Sequence, residues 1–87
     1  MLTVTENAVR HLAELLSNAD AAEEEAIRFV REGRTITPKL DCERPGDTTY
    51  EHEGNTVLLL DENVFALLGD RTLDVQDTDD GPQLTIN

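Results

Sequence analysis

The segment VLLLDENVFALLGDRTLDVQ, from Val57 to Gln76, contains the clearest succession of predicted elements in this chain. It begins inside a continuous apolar run, Thr56 to Leu60, which is typical of a strand buried on both faces. A short helix follows, with Asp61 where an N-cap would stand and Gly69 at its end. The apolar residues of this helix are Val64, Phe65, Leu67 and Leu68. Leu73 and Val75 then alternate with polar residues and predict another strand, so the centre of the core lies in this part of the chain.

The N-terminal part predicts one amphipathic helix. Met1 to Val4 is a short β-like start, and Thr5 stands at the N-cap position, with Glu6 in the first turn. The apolar positions that follow have helical spacing and predict about three turns with one buried face. They are Ala8, Val9, Leu12, Leu15 and Leu16. Ser17 to Glu25 is small and acidic, which indicates the end of the helix and a solvated loop.

Short strands are predicted for the remainder. Ile27 to Val30 is one strand, and a second runs from Arg34 to Cys42, where Pro38 indicates an edge strand or a bulge because proline has no N–H for the ladder. Thr48 to Glu53 alternates between two predicted turns, Arg44–Asp47 and Gly54–Asn55. After an acidic turn at Asp77 to Pro82, Leu84 and Ile86 close the chain. The predicted fold is mostly β or α+β, with six or seven short strands, one amphipathic helix and one short helix.

Length and charge limit the possible functions. The chain has 87 residues and one cysteine, so we expect a single domain over 1–87 without an internal disulfide. Nineteen acids face seven bases, and the net charge of −12 excludes nucleic acid and anionic membranes as partners. No segment resembles a signal peptide or a membrane span, so we expect a soluble cytoplasmic protein. Depletion of lysine beside abundant carboxylates also predicts a halophilic source.

Cys42 is the first candidate metal ligand. It shares one face of its predicted strand with Ile36 and Leu40, which favours a buried, small hydrophobic side chain over a reactive thiol. The alternative is a homodimer in which two copies of Cys42 hold a metal between them. His52 is the second candidate, because Glu51, Glu53 and Asp47 surround it in sequence.

The alternation of a strand separates His52 from its two neighbouring glutamates, which favours a solvated strand end over a metal site. A site would need the chain to bend at Gly54. His11 is predicted to lie at the boundary of the helix surface rather than to act as a ligand. No order of residues typical of nucleophilic catalysis is present, so we predict no catalytic residues and no enzyme activity.

Taken together, the elements and several residues resemble the A-type iron–sulfur carriers, the HesB/IscA-like family. The resemblance begins at Leu2 to Thr5, continues through Ile27 to Phe29, and is sharpest from Val57 to Gln76. The spaced residues that also carry it are Asp47, Tyr50, Gly54, Val57, Leu58, Leu59 and Asp61. The resemblance covers nearly the whole chain and implies a compact, mostly β fold that takes part in iron–sulfur cluster assembly or delivery.

The resemblance also implies three cysteine ligands for iron or a cluster. One lies in a Gly-rich loop soon after the strand that matches Ala26 to Val30, and two lie in a C-terminal Cys-Gly-Cys tail. Here the first segment reads VREGRTITP, Val30 to Pro38, without cysteine, and the sequence ends at Asn87 where the tail would continue. Cys42 falls in the following strand, where similar proteins carry an apolar residue, so the ligand role does not transfer to it.

Two functions remain open. In the first, the chain is a divergent, non-catalytic HesB/IscA-like protein, which is associated by descent with cluster assembly but does not ligate a cluster through the usual cysteines. In the second, it is an acidic protein-interaction module unrelated to iron. We predict no bound cofactor, with iron or a cluster reached only through a partner or a non-standard site. The predicted partner is another protein or a further copy of the chain.

Overall fold

A computed structural model describes residues 2–87 and contains seven strands and two helices. In chain order these are β1 (Thr3–Val4), α1 (Glu6–Asn18), β2 (Glu25–Glu32), β3 (Thr35–Cys42), β4 (Thr48–His52), β5 (Asn55–Leu60), α2 (Glu62–Leu68), β6 (Thr72–Thr78) and β7 (Gly81–Ile86). The predicted α+β class with two helices is confirmed. Met1, which the sequence placed in the β-like start, lies outside the described residues.

The strands form two sheets. The larger one has the order β3-β2-β5-β4, and only its central pair, β2 and β5, is parallel. The smaller one has the order β1-β6-β7, with β1 parallel to β6 and β7 antiparallel to it. β3 is an edge strand with Pro38 opposite Phe29, so the first of the two alternatives predicted from Pro38, an edge strand or a bulge, is confirmed.

Helix α1 packs against both sheets through one face. The Thr5 hydroxyl accepts a hydrogen bond of 3.1 Å from the Ala8 N–H, as its N-cap position predicts. The same hydroxyl donates to Asp74 Oδ1 at 2.7 Å, which ties the start of the helix to β6. Ala8 and Leu12 are fully buried, so the apolar stripe in the sequence faces the core.

Strand β5 and helix α2 form the centre of the core, as the sequence from Val57 to Gln76 predicts. Val57 to Leu60 are all buried, and the pairing of β4 with β5 skips Val57, so a β-bulge turns this side chain towards the core as well. Asp61 Oδ1 accepts a 2.8 Å hydrogen bond from the Val64 N–H and caps α2. Gly69, with φ of 53°, ends the helix in a conformation that few other residues adopt.

The last hairpin is tighter than the sequence predicted. The expected turn from Asp77 to Pro82 was wrong in extent, because Asp77 and Pro82 face each other within the β6–β7 ladder. Only Asp79 and Asp80 lie between the strands. The Thr78 hydroxyl donates to the Gly81 carbonyl at 2.7 Å and closes this short turn. Across residues 2–87, no helix is long and apolar enough to cross a membrane.

Candidate functional site

The most organised polar cluster centres on Arg28, in the middle of β2. Its side chain is only 6% exposed, although the neighbouring positions of the strand are apolar. Its two Nη atoms donate to the two carboxylate oxygens of Asp47, at 3.0 and 2.5 Å. Asp47 follows the turn after β3, and its side chain is 3% exposed. The pair therefore joins the central strand to the β3–β4 loop.

Asp41 completes the cluster from the neighbouring strand. Arg28 Nε donates to Asp41 Oδ2 at 2.8 Å, and Arg28 Nη2 donates to the Cys42 carbonyl at 3.1 Å. Arg44 adds a contact of 2.9 Å to Asp41 and a backbone hydrogen bond of 2.7 Å to Asp47. Every buried side-chain nitrogen and oxygen in residues 2–87 has a partner, so the buried charges are compensated.

The pKa values follow from these contacts. The hydrogen bond from Arg28 lowers the pKa of Asp47, assisted by the backbone N–H of Arg44 and opposed by burial. The pKa of Asp41 is lowered first by the backbone N–H of Cys42 and then by Arg28. The hydrogen bond to Asp47 raises the pKa of Arg28. Both carboxylates are therefore held ionised, in contact with cations.

We refer to Arg28, Asp41 and Asp47, which join β2 to β3 and to the β3–β4 loop, as the Arg28 clamp. Its carboxylates accept hydrogen bonds from guanidinium and backbone donors, and they belong to no group of three or more metal-ligating side chains within residues 2–87. Sequence reasoning missed Arg28, although an arginine inside an apolar strand was the available signal. Its carboxylate partners, Asp41 and Asp47, lie 13 and 19 residues further along the chain and could not be recognised before the pairing of β2 with β3 was known.

Cys42 lies at the end of β3 and is exposed. The prediction of a buried cysteine was therefore wrong. The alternation correctly places it on the same face as Ile36 and Leu40, but β3 is an edge strand and its last residue is left exposed. Its backbone N–H donates to Asp41 Oδ1 at 2.8 Å, so the main chain at this position belongs to the Arg28 clamp.

His52 lies at the end of β4, with its side chain 28% exposed and its Nε2 3.8 Å from Glu53 Oε1. β4 and β3 are the opposite edges of the larger sheet, three inter-strand steps apart. At about 4.8 Å per step, His52 and Cys42 are roughly 14 Å apart. The two candidate ligands cannot share one ion, and no group of three or more metal-ligating side chains exists in residues 2–87.

The hairpin between β2 and β3 is the position where the resemblance expects the first cysteine ligand. Gly33 and Arg34 form a two-residue turn, with φ of 63° at Gly33. Residues 30–38 provide no sulfur at this position. The position to which the resemblance assigns the first cysteine ligand is thus a two-residue turn in this chain.

An apolar groove of about 360 Å³ separates β3 from β7. Its floor contains Phe29 and Leu73, and His11 of α1 lies on its rim, half-buried. His11 is accordingly a boundary residue of the helix, as predicted. The lining also includes Ile36, Pro38, Leu84 and Ile86.

Three solved structures resemble the chain along its length. SufA of Escherichia coli, which is involved in biosynthesis of iron–sulfur clusters, aligns with a TM-score of 0.70 and 20% identity over 99% of this chain and 83% of SufA. IscA with a [2Fe-2S] cluster aligns with a TM-score of 0.66 and 17% identity over 100% of this chain and 84% of IscA. A protein from Aquifex aeolicus, solved by NMR, aligns with a TM-score of 0.62 and 20% identity over 99% and 89% of the two chains.

Neither a protein-family model nor a curated protein matches the sequence. At 17–20% identity the structural likeness establishes the fold alone. The near-complete coverage nevertheless agrees with the resemblance read from the sequence. The chain has the HesB/IscA-like fold of the A-type iron–sulfur carriers.

Proposed function

We propose that this chain is a non-catalytic relative of the A-type iron–sulfur carriers that acts in cluster assembly through a protein partner and does not ligate a cluster itself. The observation that carries the proposal is the alignment of 99% of the chain with SufA, combined with a single cysteine. The scaffold is kept, whereas the ligand loop is not.

The available ligands support a role without direct ligation. Iron–sulfur clusters are held chiefly by several cysteine thiolates. Cys42 supplies one sulfur atom, and His52 lies roughly 14 Å away on the opposite sheet edge. Asp41 and Asp47 are engaged by Arg28, so they are not free to replace the missing sulfur ligands.

A second candidate is an acidic interaction module on the same scaffold, unrelated to iron. The absence of a ligand cluster in residues 2–87 and the net charge of −12 favour it. Both candidates require a protein partner, and they differ in whether that partner handles iron. We place either function in a salt-rich cytoplasm, where a dense carboxylate surface remains soluble.

Anaerobic reconstitution with iron and sulfide tests the first part of the proposal. The wild-type chain should remain colourless and free of stoichiometric metal, both as a monomer and after self-association. The Cys42→Ala variant is the matched control, and a carrier with three cysteines, treated in parallel, should become coloured. Stoichiometric iron that is lost in Cys42→Ala would contradict the proposal.

The partner separates the two candidates. The chain should bind a cluster-loaded A-type carrier from its own cells, measured by sedimentation in molar KCl with the cluster absorbance as the signal. Co-sedimentation of the cluster with this chain supports a role in iron–sulfur metabolism. Absence of such a complex, with binding only to partners that lack iron, would favour the interaction module.

A further inference from the structure

One surface of the domain lacks charged side chains. The groove between β3 and β7, of about 360 Å³, is as large as many clefts that bind ligands, which measure about 300–1,000 Å³. Its lining contains no Asp, Glu, Lys or Arg, although 30% of the residues in the chain are charged. Strand β7 contains none either. Because charge is depleted in the buried centre of protein interfaces, the groove and β7 have the composition of a docking surface.

The outer edge of β7 carries backbone groups without a partner strand. Thr72 and Asn87 exchange two hydrogen bonds, of 3.1 and 2.9 Å, which sets the phase of the β6–β7 ladder. Since bonded and non-bonded pairs alternate, Thr85 is also bonded to β6, whereas the N–H and C=O groups of Leu84 and Ile86 point away from it. Outside the ladder, no hydrogen bond among residues 2–87 involves Leu84 or Ile86. These two residues offer their N–H and C=O groups to an added strand.

An added strand would also cover the groove. The side chains of Leu84 and Ile86 line one wall, and those of Ile36 and Pro38 in β3 line the other. Residues of an added strand that lie opposite Leu84 and Ile86 project to the same face of the sheet, and hence into the groove. Strand pairing and filling of the groove therefore require the same kind of partner, an extended segment with alternating apolar residues.

A carboxylate without a cation lies at one end of the groove. Asp77 pairs with Pro82 in the β6–β7 ladder, so its side chain is on the same face of the sheet as that of Leu84. It is exposed, and no ion pair among residues 2–87 includes it. Arg10 of α1 lies beside it but pairs with Glu6 at 2.7 Å. A basic residue in the partner would complement this charge.

We propose that β7 binds an extended segment of a protein partner as an additional antiparallel strand. Two apolar residues of the segment lie opposite Ile86 and Leu84, with their side chains in the groove. A lysine or arginine then lies opposite Pro82, two inter-strand steps from Asp77, and its long side chain crosses most of this separation of about 10 Å. Antiparallel pairing is favoured because it is the more stable arrangement per residue.

The proposal rests on the protein partner that the proposed function requires. Its test needs neither iron nor a carrier, so the result is separate from that of reconstitution. The probe is the capped peptide TVTVTR, whose valines lie opposite Ile86 and Leu84 and whose arginine lies opposite Pro82. Titration into the isotope-labelled chain, followed by NMR, should give saturable binding with a dissociation constant of about 1 mM or below.

Hydrogen exchange of backbone amides tests the strand pairing. The N–H groups of Leu84 and Ile86 should exchange about tenfold more slowly when the peptide is near saturation. Gln83 and Thr85 are the internal controls, since their N–H groups are bonded to β6 with or without the peptide.

Matched peptides and variants test the chemistry of the partner. TSTSTR lacks the two apolar side chains and should bind about tenfold more weakly or worse. RTVTVT has the same composition in reverse order, so antiparallel pairing leaves its arginine far from Asp77 and should weaken binding about two- to fivefold. Asp77→Asn should cause the same loss for TVTVTR and none for RTVTVT. Asp20→Asn, at an exposed carboxylate after α1, is the matched control and should affect neither peptide.

Four results would overturn the proposal. The first is no binding of TVTVTR at concentrations up to about 10 mM. The second is binding that leaves the exchange of Leu84 and Ile86 unchanged, because the peptide would then lie elsewhere. The third is RTVTVT binding as tightly as TVTVTR. The fourth is exchange at Leu84 and Ile86 that slows with rising protein concentration in the absence of peptide, which would identify a second copy of the chain as the occupant.

Discussion

Arg28 and Asp47 form a bidentate pair, with Nη–Oδ distances of 3.0 and 2.5 Å, across a sequence separation of 19 residues. Because the pair is almost fully buried, each charge depends on the other for compensation. The pair also holds the β3–β4 loop against the central strand. Its removal should therefore affect the whole domain rather than the loop alone.

Replacing Arg28 by alanine should lower the free energy of unfolding by about 3 kcal/mol or more, because Asp47 would remain as a buried, unpaired charge. Urea denaturation measures this loss. Arg10→Ala is the matched control, since the Arg10–Glu6 pair is exposed and should contribute no more than about 1 kcal/mol. Replacing Arg28 and Asp47 together by leucine should recover much of the stability. Equal losses in Arg28→Ala and Arg10→Ala would contradict a buried clamp.

The same pair predicts a specific acid sensitivity. Arg28 holds the pKa of Asp47 below its ordinary value of 3.8, so the folded state binds this proton less readily than the unfolded state does. The contribution of Asp47 is therefore complete above about pH 4 and is lost as the pH falls through the lowered pKa.

The difference in unfolding free energy between the wild type and Asp47→Asn isolates this contribution from the general effect of acid on a highly charged chain. The difference should be constant near neutral pH and should shrink below about pH 4. Urea denaturation at several pH values provides the measurement. A difference that grows as the pH falls would have the wrong sign for this carboxylate.

Salt should stabilise the folded chain. The net charge of −12 on a domain of 87 residues produces repulsion between carboxylates, which is strongest in the compact state. Molar KCl screens it, because the Debye length falls to about 3 Å. Thermal melting should give a higher Tm in molar KCl than in dilute buffer. An unchanged Tm would argue against adaptation to a salt-rich cytoplasm.

Thr5 and Asp74 connect α1 to the smaller sheet. The Thr5 hydroxyl accepts from the Ala8 N–H and donates to Asp74 Oδ1, so one side chain caps the helix and makes a tertiary contact. Thr5→Ala should lower the free energy of unfolding by about 1–2 kcal/mol. Thr5→Ser keeps the hydroxyl and should lose much less, as measured by urea denaturation. Similar losses in the two variants would show that the methyl group, and not the hydroxyl, is responsible.

The elements could be predicted well from local patterns. The apolar run at Thr56 to Leu60, the caps Thr5 and Asp61, and the termination at Gly69 all depend on residues close in sequence, and the structure agrees with each of them. The edge position of β3 was also predictable, because Pro38 lacks an N–H. The extent of the last turn was not, since only the pairing of β6 with β7 defines it.

For the candidate site, the sequence alone revealed mainly which ligands are missing. Composition showed a single cysteine, and residues 30–38 lack the cysteine that the family resemblance implies there; neither observation needs a structure. The exposure of Cys42 could not be predicted, because alternation assigns a face but does not say whether anything covers it. The clamp of Arg28, Asp41 and Asp47 was also missed, because it joins residues 13 and 19 positions apart.

Local patterns and composition were enough to establish the class of fold, the family resemblance and the strongly acidic character of the chain. These properties follow from periodicity, capping and composition, which act over a few residues or over the chain as a whole. The folded arrangement was needed to show which charges are buried together, that Cys42 and His52 lie on opposite sheet edges, and that β3 is an edge strand. Those relationships depend on strand order and register, which arise when distant segments pack and exclude water from their contacts.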